Sequence, residues 1–78
     1  MPRLKKQLTE DELFTAEQIK RDFGALLSVD DVMRYLGCSS RNTAKKFLSD
    51  VDRIEVNGRS RYMAVDIARK VEAGRVRA

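Results

Sequence analysis

The chain contains no histidine and no tryptophan, and it has only one cysteine and one proline. Histidine is the side chain that most often transfers protons and binds metal ions near neutral pH. A single cysteine can form neither an internal disulfide nor a zinc cluster. The four glycines are isolated from one another, so the sequence has no glycine-rich loop that could cradle a phosphate. We therefore expect a protein that is not an enzyme and that holds no cofactor or metal.

Long apolar segments are also lacking. A membrane-spanning helix needs about 20 consecutive apolar residues, and the 78-residue sequence has no such run. The start of the chain does not have the charged-then-apolar order of a secretory signal. A chain of this length corresponds to one small domain, which buries about 60% of its unfolded surface. We expect a cytoplasmic protein without a membrane partner.

Basic side chains outnumber acidic ones by 16 to 12, and they are concentrated late in the chain. Residues 1–37 carry 6 basic and 7 acidic side chains, whereas residues 38–78 carry 10 and 5. A surface that binds a polyanion gathers its cations on one side, because its affinity comes from neutralised phosphates and released counterions. The charge distribution is typical of a nucleic-acid-binding domain, and an ordinary solvated basic surface is the alternative.

Helix-capping pairs occur at three places in the first half of the chain. The pairs are Thr9 with Glu12, Thr15 with Gln18, and Ser28 with Asp31. Phe14 would lie off the apolar face of a helix begun at Thr9, so we place the first helix at about residues 16–23, ending at Gly24. The third pair predicts a second helix that ends at Gly37.

Two apolar stripes with helical spacing lie on either side of a short turn. The first stripe is Val29, Val32, Met33 and Leu36, and the second is Ala44, Phe47, Leu48 and Val51. Only Gly37 to Ser40 separates them, and either serine of that turn can cap the helix that follows. Two short amphipathic helices joined in this way form a helix-turn-helix pattern.

After Val51 the apolar period changes from 3.6 to 2, and Asn57-Gly58 is a strong hairpin signal. Two registers are open: a two-residue turn pairs Val56 with Arg59 and Ile54 with Arg61, whereas one extra residue pairs Val56 with Ser60 and Ile54 with Tyr62. We expect the second, bulged register because it gives the hairpin one apolar face. A last helix over about residues 65–73 then ends at Gly74.

These elements predict a single core that draws on the helices and the hairpin. Its expected members are Val32, Leu36, Cys38, Ala44, Phe47, Leu48, Ile54, Val56, Tyr62, Ile67 and Val71. We divide the chain into an N-terminal extension (1–25), a helix-turn-helix domain with a hairpin (26–74) and a basic tail (75–78).

Four segments carry a family resemblance: Leu27-Ser-Val-Asp-Asp-Val-Met-Arg-Tyr-Leu-Gly-Cys-Ser39, Arg41-Asn-Thr-Ala44, Gly58-Arg-Ser-Arg-Tyr62 and Val65-Asp-Ile67. In this order they resemble the excisionase-type, MerR-like winged helix-turn-helix proteins of phages and transposons. The resemblance implies an α+β, mostly helical fold with a two-stranded β-hairpin wing, here with an extra N-terminal helix. It also implies a bacterial or phage-encoded protein that binds double-stranded DNA sequence-specifically, in recombination directionality or in regulation.

The resemblance makes residues 40–49 the recognition helix and residues 57–61 the wing. The expected DNA-binding residues are Ser39, Ser40, Arg41, Asn42, Lys45, Lys46, Asn57, Arg59 and Arg61. Arginine matches the major-groove acceptors of guanine and asparagine those of adenine, which agrees with these assignments. Thr43 stands where the family has a large aliphatic residue. A longer turn would return Ala44 to the core and rotate the exposed face by about 100°.

A protein-interaction adaptor is the main alternative, since winged helices also bind proteins. A packaging module similar to the lambda-type terminase small subunit is a second one. Beside DNA, an integrase or another protein is a candidate partner, and the chain is expected to be a monomer or a weak, cooperative homo-oligomer. Cys38 is expected to pack in the turn rather than to act as a redox sensor.

Overall fold

A computed structural model describes residues 8–76. Residues 1–7 of the predicted extension and residues 77–78 of the predicted tail lie outside the described residues. The described chain is α+β and mostly helical, with four α-helices and three short antiparallel strands. In chain order the elements are α1 (Glu10–Phe23), β1 (Leu26–Leu27), α2 (Val29–Leu36), α3 (Arg41–Phe47) with a 3-10 turn (Leu48–Asp50), β2 (Ile54–Val56), β3 (Arg59–Met63) and α4 (Ala64–Ala73).

Helix α1 begins at Glu10, so the predicted start near residue 16 is wrong. The Thr9 hydroxyl accepts a hydrogen bond from the backbone N–H of Glu12 at 3.1 Å, and the Glu12 carboxylate accepts one from Thr9 N–H at 2.9 Å. This pair is the capping box. Phe14 does lie off the apolar face and is 65% exposed, but one exposed aromatic is not enough to displace a complete cap.

The predicted cap residue Thr15 has a different role in the middle of α1. Its side chain is buried, and its hydroxyl donates a hydrogen bond of 2.8 Å to the Glu72 carboxylate in α4. One turn of α1 also places Ala16 and Ile19 fully in the core, where α1 packs on α4. The N-terminal helix is therefore a structural part of the domain.

The helix-turn-helix pattern is confirmed as local structure. Ser28 and Asp31 form the capping box of α2 with two hydrogen bonds of 3.1 Å. Gly37 ends α2 in the left-handed region at φ 73°, which favours glycine. Ser40 is the N-cap residue of α3, although its side chain makes no capping hydrogen bond. Ala44 is fully buried and Thr43 exposed, which fixes the rotation of α3 as the longer turn predicts.

The hairpin adopts the two-residue register, so the expected bulge is wrong. Strand β2 pairs Ile54 with Arg61 and Val56 with Arg59. Asn57 and Gly58 both have positive φ, 53° and 77°. Two consecutive residues of this kind make a type I′ turn, whose twist matches the strands without an extra residue.

A third strand, β1, explains how the two-residue register keeps Tyr62 in the core. Leu27 pairs with Tyr62, and Leu26 with Met63, so the sheet order is β1-β3-β2. Tyr62 is buried on the face of the sheet that it shares with its pairing partner Leu27. Val56, which was expected in the core, is 40% exposed. The hairpin was expected to stand alone with two strands, and a strand of two residues leaves no periodic signal.

The four helices, the 3-10 turn and strands β1 and β3 all contribute to the core. Its buried apolar residues are Ala16, Ile19, Leu27, Val32, Ala44, Leu48, Tyr62, Ala64, Ile67 and Ala68. Four predicted core residues, Leu36, Cys38, Phe47 and Val71, pack against it while remaining half-buried. Ile54 is half-buried on the hairpin.

Candidate nucleic-acid interface

A groove of about 680 Å³ lies where the start of α2, helix α3 and the hairpin meet. Ten side chains from these elements line it. They are Ser28, Val29, Asp30, Arg41, Lys45, Arg53, Arg59, Ser60, Arg61 and Tyr62. Helix α1 and helix α4 contribute no lining residue among those described, so the groove belongs to the helix-turn-helix and the hairpin.

Cations dominate this groove. Five of its described lining residues are arginine or lysine, and Asp30 is the single carboxylate among them. Arg41, Lys45, Arg53 and Arg59 are exposed, and Arg61 is half-buried. Like charges gathered in one concave surface reinforce each other's potential and concentrate counterions there. The groove can therefore hold an extended anion.

Helix α3 presents two rows of polar side chains. Arg41 and Lys45 lie one turn apart, so they share the face that lines the groove. Asn42 and Lys46 are also one turn apart, and the burial of Ala44 places them on the outer face of the helix. Together the two rows form a continuous exposed surface along α3.

Arg41 is held at the edge of the groove by an ion pair. Its Nη1 donates to the Asp30 carboxylate, which connects the first residue of α3 with the first turn of α2. Both side chains remain more than half exposed in this pair. The guanidinium is thus positioned without being removed from solvent.

The hairpin register determines where the hairpin cations lie. Arg59 and Arg61 are two residues apart on β3, so they project from the same face of the strand. The Nη1 of Arg61 donates a 2.9 Å hydrogen bond to the Ser60 carbonyl, which holds that side chain close to the strand. Arg59, at the end of the two-residue turn, is exposed.

Arg53 is a lining residue that sequence reasoning missed. It directly precedes β2, and in the sequence it is only a polar neighbour of the apolar Ile54. The antiparallel pairing brings the start of β2 beside the end of β3, which places Arg53 with Arg61 at the groove. The clustering of basic residues after position 38 was the only signal in the sequence.

The structure brings together four of the nine predicted site residues. Arg41, Lys45, Arg59 and Arg61 line the groove. The other five are exposed outside its lining, namely Ser39, Ser40, Asn42, Lys46 and Asn57. Cys38 packs beside the turn, where its thiol lies 3.7 Å from the Ser40 carbonyl.

Two basic residues in and just after α4, Lys70 and Arg75, form ion pairs and lie outside the groove. Lys70 pairs with Asp50 and lies 5.0 Å from the centre of the Phe47 ring. The hydrogen bond from Lys70 lowers the pKa of the Asp50 carboxyl below its usual value. Arg75 donates from Nε and Nη2 to the Glu72 carboxylate at 2.8 and 2.7 Å. Lys70 therefore connects α4 to the end of α3 and the 3-10 turn, whereas Arg75 pairs with a residue of α4 itself.

No protein-family model matches the chain, and no curated protein or solved structure matches it significantly. Between residues 8 and 76, no helix is both long and apolar enough to cross a membrane. The same residues include no group of three or more acidic or cysteine side chains arranged to hold a metal ion.

Proposed function

We propose that this chain binds double-stranded DNA as a winged helix-turn-helix protein. In the proposed complex, α3 enters the major groove and the β2–β3 hairpin lies over the adjoining backbone or minor groove. The supporting observation is the convergence of five cationic side chains on one groove between α3 and the hairpin. Phosphate contacts of this kind supply most of the sequence-independent affinity of DNA-binding proteins.

Helix α3 is suited to reading bases because its exposed surface combines several donors. Asn42 can bond adenine bidentately, and arginine or lysine can bond guanine O6 and N7. Ala44 on the buried side of the same helix and Leu48 at its C-cap fix the position of α3 on the domain. The DNA major groove is about 12 Å wide, enough to admit an α-helix.

The hairpin is suited to contacting the backbone. Arg59 and Arg61 extend from a short ribbon beside α3, and Arg53 adds a third cation at its base. Contacts to phosphates fix register and orientation on the duplex, while base contacts specify the sequence. We therefore assign sequence discrimination to α3 and general affinity to the hairpin.

Within the DNA-binding class, the resemblance of about residues 26–73 to excisionases leads us to propose recombination directionality or the regulation of a mobile element. A protein-interaction adaptor or a packaging module is the rival. One observation favours a protein partner: Leu13 and Phe14 are 49% and 65% exposed side by side on α1. Exposed apolar side chains of this size can dock another protein.

Fluorescence anisotropy with a random 20-base-pair duplex tests the proposal. With about five phosphate contacts, made by Lys45, Lys46, Arg53, Arg59 and Arg61, log Kobs should fall against log salt with a slope near −4 to −5, at about 0.9 per contact. Replacing Arg59 and Arg61 by Gln removes two phosphate contacts and should make the slope shallower by about 1.8. The matched control replaces Arg21 and Arg34, which are exposed outside the groove, and should bind like the native chain. Binding that is absent, insensitive to salt or equally weakened by both pairs would contradict the proposal.

A further inference from the structure

We infer that Asp30 is a positioning residue for Arg41, and that it reserves this arginine for reading bases. The inference rests on the proposed function of the groove. While it is paired with Asp30, the Arg41 guanidinium does not contact the phosphates of the DNA. Arg41 therefore contributes little to the sequence-independent affinity and much to the preference for particular bases.

The position of Asp30 is the first observation. Among the described residues that line the groove, it is the single carboxylate beside five cations. A carboxylate there repels phosphates and lowers the sequence-independent affinity for DNA. A favourable effect of Asp30 on DNA recognition therefore acts through another residue. That residue is Arg41, since its Nη1 donates to the Asp30 carboxylate across the helix-turn-helix.

The geometry of the guanidinium is the second observation. Arginine has five N–H donors in a planar fork, and this pair occupies the Nη1 end. The edge formed by Nε and Nη2 is left with donors for a bidentate contact to guanine O6 and N7. An arginine that is held in a plane loses less freedom on binding a base than one free to reach several phosphates.

The capping of α2 argues against a purely structural role for Asp30. Ser28 and Asp31 form the capping box at the start of that helix, and Asp30 is not a member of it. The Asp30 side chain is 65% exposed, so it fills no space in the core. A charge in the first turn of α2 also favours the helix dipole, and this contribution is small at an exposed position.

The test compares Asp30→Asn with Asp22→Asn, which removes the same charge from the exposed surface of α1. Each variant is titrated with a random 20-base-pair duplex, and each is used to enrich sequences from a random duplex pool. Asp30→Asn should bind the random duplex roughly threefold to tenfold more tightly, with a salt slope steeper by about 0.9, because Arg41 gains a phosphate. Its enriched pool should show weaker base preferences than the pool from the native chain. Asp22→Asn should change neither quantity.

Two further variants separate positioning from charge removal. Asp30→Glu keeps the carboxylate and should restore most of the native base preference. In an Arg41→Gln background, Asp30→Asn should no longer steepen the salt slope, since the arginine that it releases is gone. Circular dichroism melting should show that all variants keep a native-like Tm.

The possible failures are distinguishable. If the native chain binds duplex with a steep salt slope but Asp30→Asn behaves like Asp22→Asn, the inference is wrong and the proposed function stands. The same holds if Asp30→Asn steepens the slope equally with and without Arg41. If the native chain shows no salt-sensitive duplex binding, both the inference and the proposed function are wrong.

Discussion

The side of the molecule formed by α1 and α4 and the side formed by the groove both carry many charges, but they arrange them in opposite ways. On the first side three cations have a carboxylate within reach: Lys20 with Glu17, Lys70 with Asp50, and Arg75 with Glu72. In the groove, five described cations share one carboxylate. Alternating charges suit a surface that holds a fold together, whereas gathered cations repel one another and suit an anionic ligand.

The largest expected effect tests whether α1 belongs to the domain. Ile19 is fully buried against the rest of the core, so Ile19→Ala should lower the free energy of unfolding by about 2–5 kcal/mol. Phe14→Ala on the exposed face of the same helix should change it by less than about 0.5 kcal/mol. Urea unfolding followed by circular dichroism measures both. Equal effects would mean that α1 is a dispensable extension.

The next largest effect concerns Glu72, the carboxylate that links α4 to α1 through a hydrogen bond from Thr15. The Glu72 carboxylate is 7% exposed, and it accepts hydrogen bonds from Thr15 and Arg75. Glu72→Ala leaves the buried Thr15 hydroxyl and the Arg75 guanidinium without this acceptor, so it should cost about 1–3 kcal/mol in urea unfolding. Glu17→Ala removes an exposed ion pair and should cost less than about 1 kcal/mol. A smaller loss for Glu72→Ala than for Glu17→Ala would mean that the paired charges on this side do not hold the fold together.

The residue that sequence reasoning missed gives a sharper test of the groove. Arg53→Gln should weaken binding to random duplex and reduce the steepness of the salt slope by about 0.9, because one phosphate contact is lost. Its stability should remain within about 0.5 kcal/mol of the native value, since the side chain is exposed. Arg34→Gln, exposed on α2 outside the groove, is the control. If Arg53→Gln destabilises the fold and leaves duplex binding unchanged, Arg53 belongs with the structural charges.

The smallest expected effect is on the stability of the fold at acidic pH. The hydrogen bond from Lys70 lowers the pKa of Asp50, so the stability that this pair provides is present above the unfolded pKa of the carboxyl. It is lost as the pH falls below about 4 toward the folded pKa. Asp50→Asn should therefore lose less Tm between pH 7 and pH 3 than the native chain. An identical loss in both would show that the pair contributes nothing.

Local signals predicted the helix-turn-helix well. Ser28, Asp31 and Gly37 are close in sequence and bond to one another's backbone, so the bounds of α2 can be read directly from the chain. The phase of α3 followed from the Ala44 and Leu48 stripe in the same way. These features depend on contacts within a few residues.

Three of the differences between prediction and structure involve partners that are distant in sequence. Thr15 fits a cap locally, but in the structure its hydroxyl binds Glu72, which lies 57 residues away. The hairpin register depends on β1, because pairing of Leu27 with Tyr62 buries that ring without a bulge. Arg53 reaches the groove through antiparallel pairing of β2 with β3. A periodic pattern cannot reveal contacts of this kind.

The most direct test of the central claim maps where DNA binds on the two sides of the molecule. A titration of the ¹⁵N-labelled chain with a 20-base-pair duplex, followed by backbone amide chemical shifts, measures this without any substitution. The proposed interface predicts that the shift changes concentrate at residues 28–30, 41–46 and 53–62, and that the amide shifts of residues 10–22 of α1 change little. Shifts concentrated around Leu13 and Phe14, or no shifts at low salt, would contradict it.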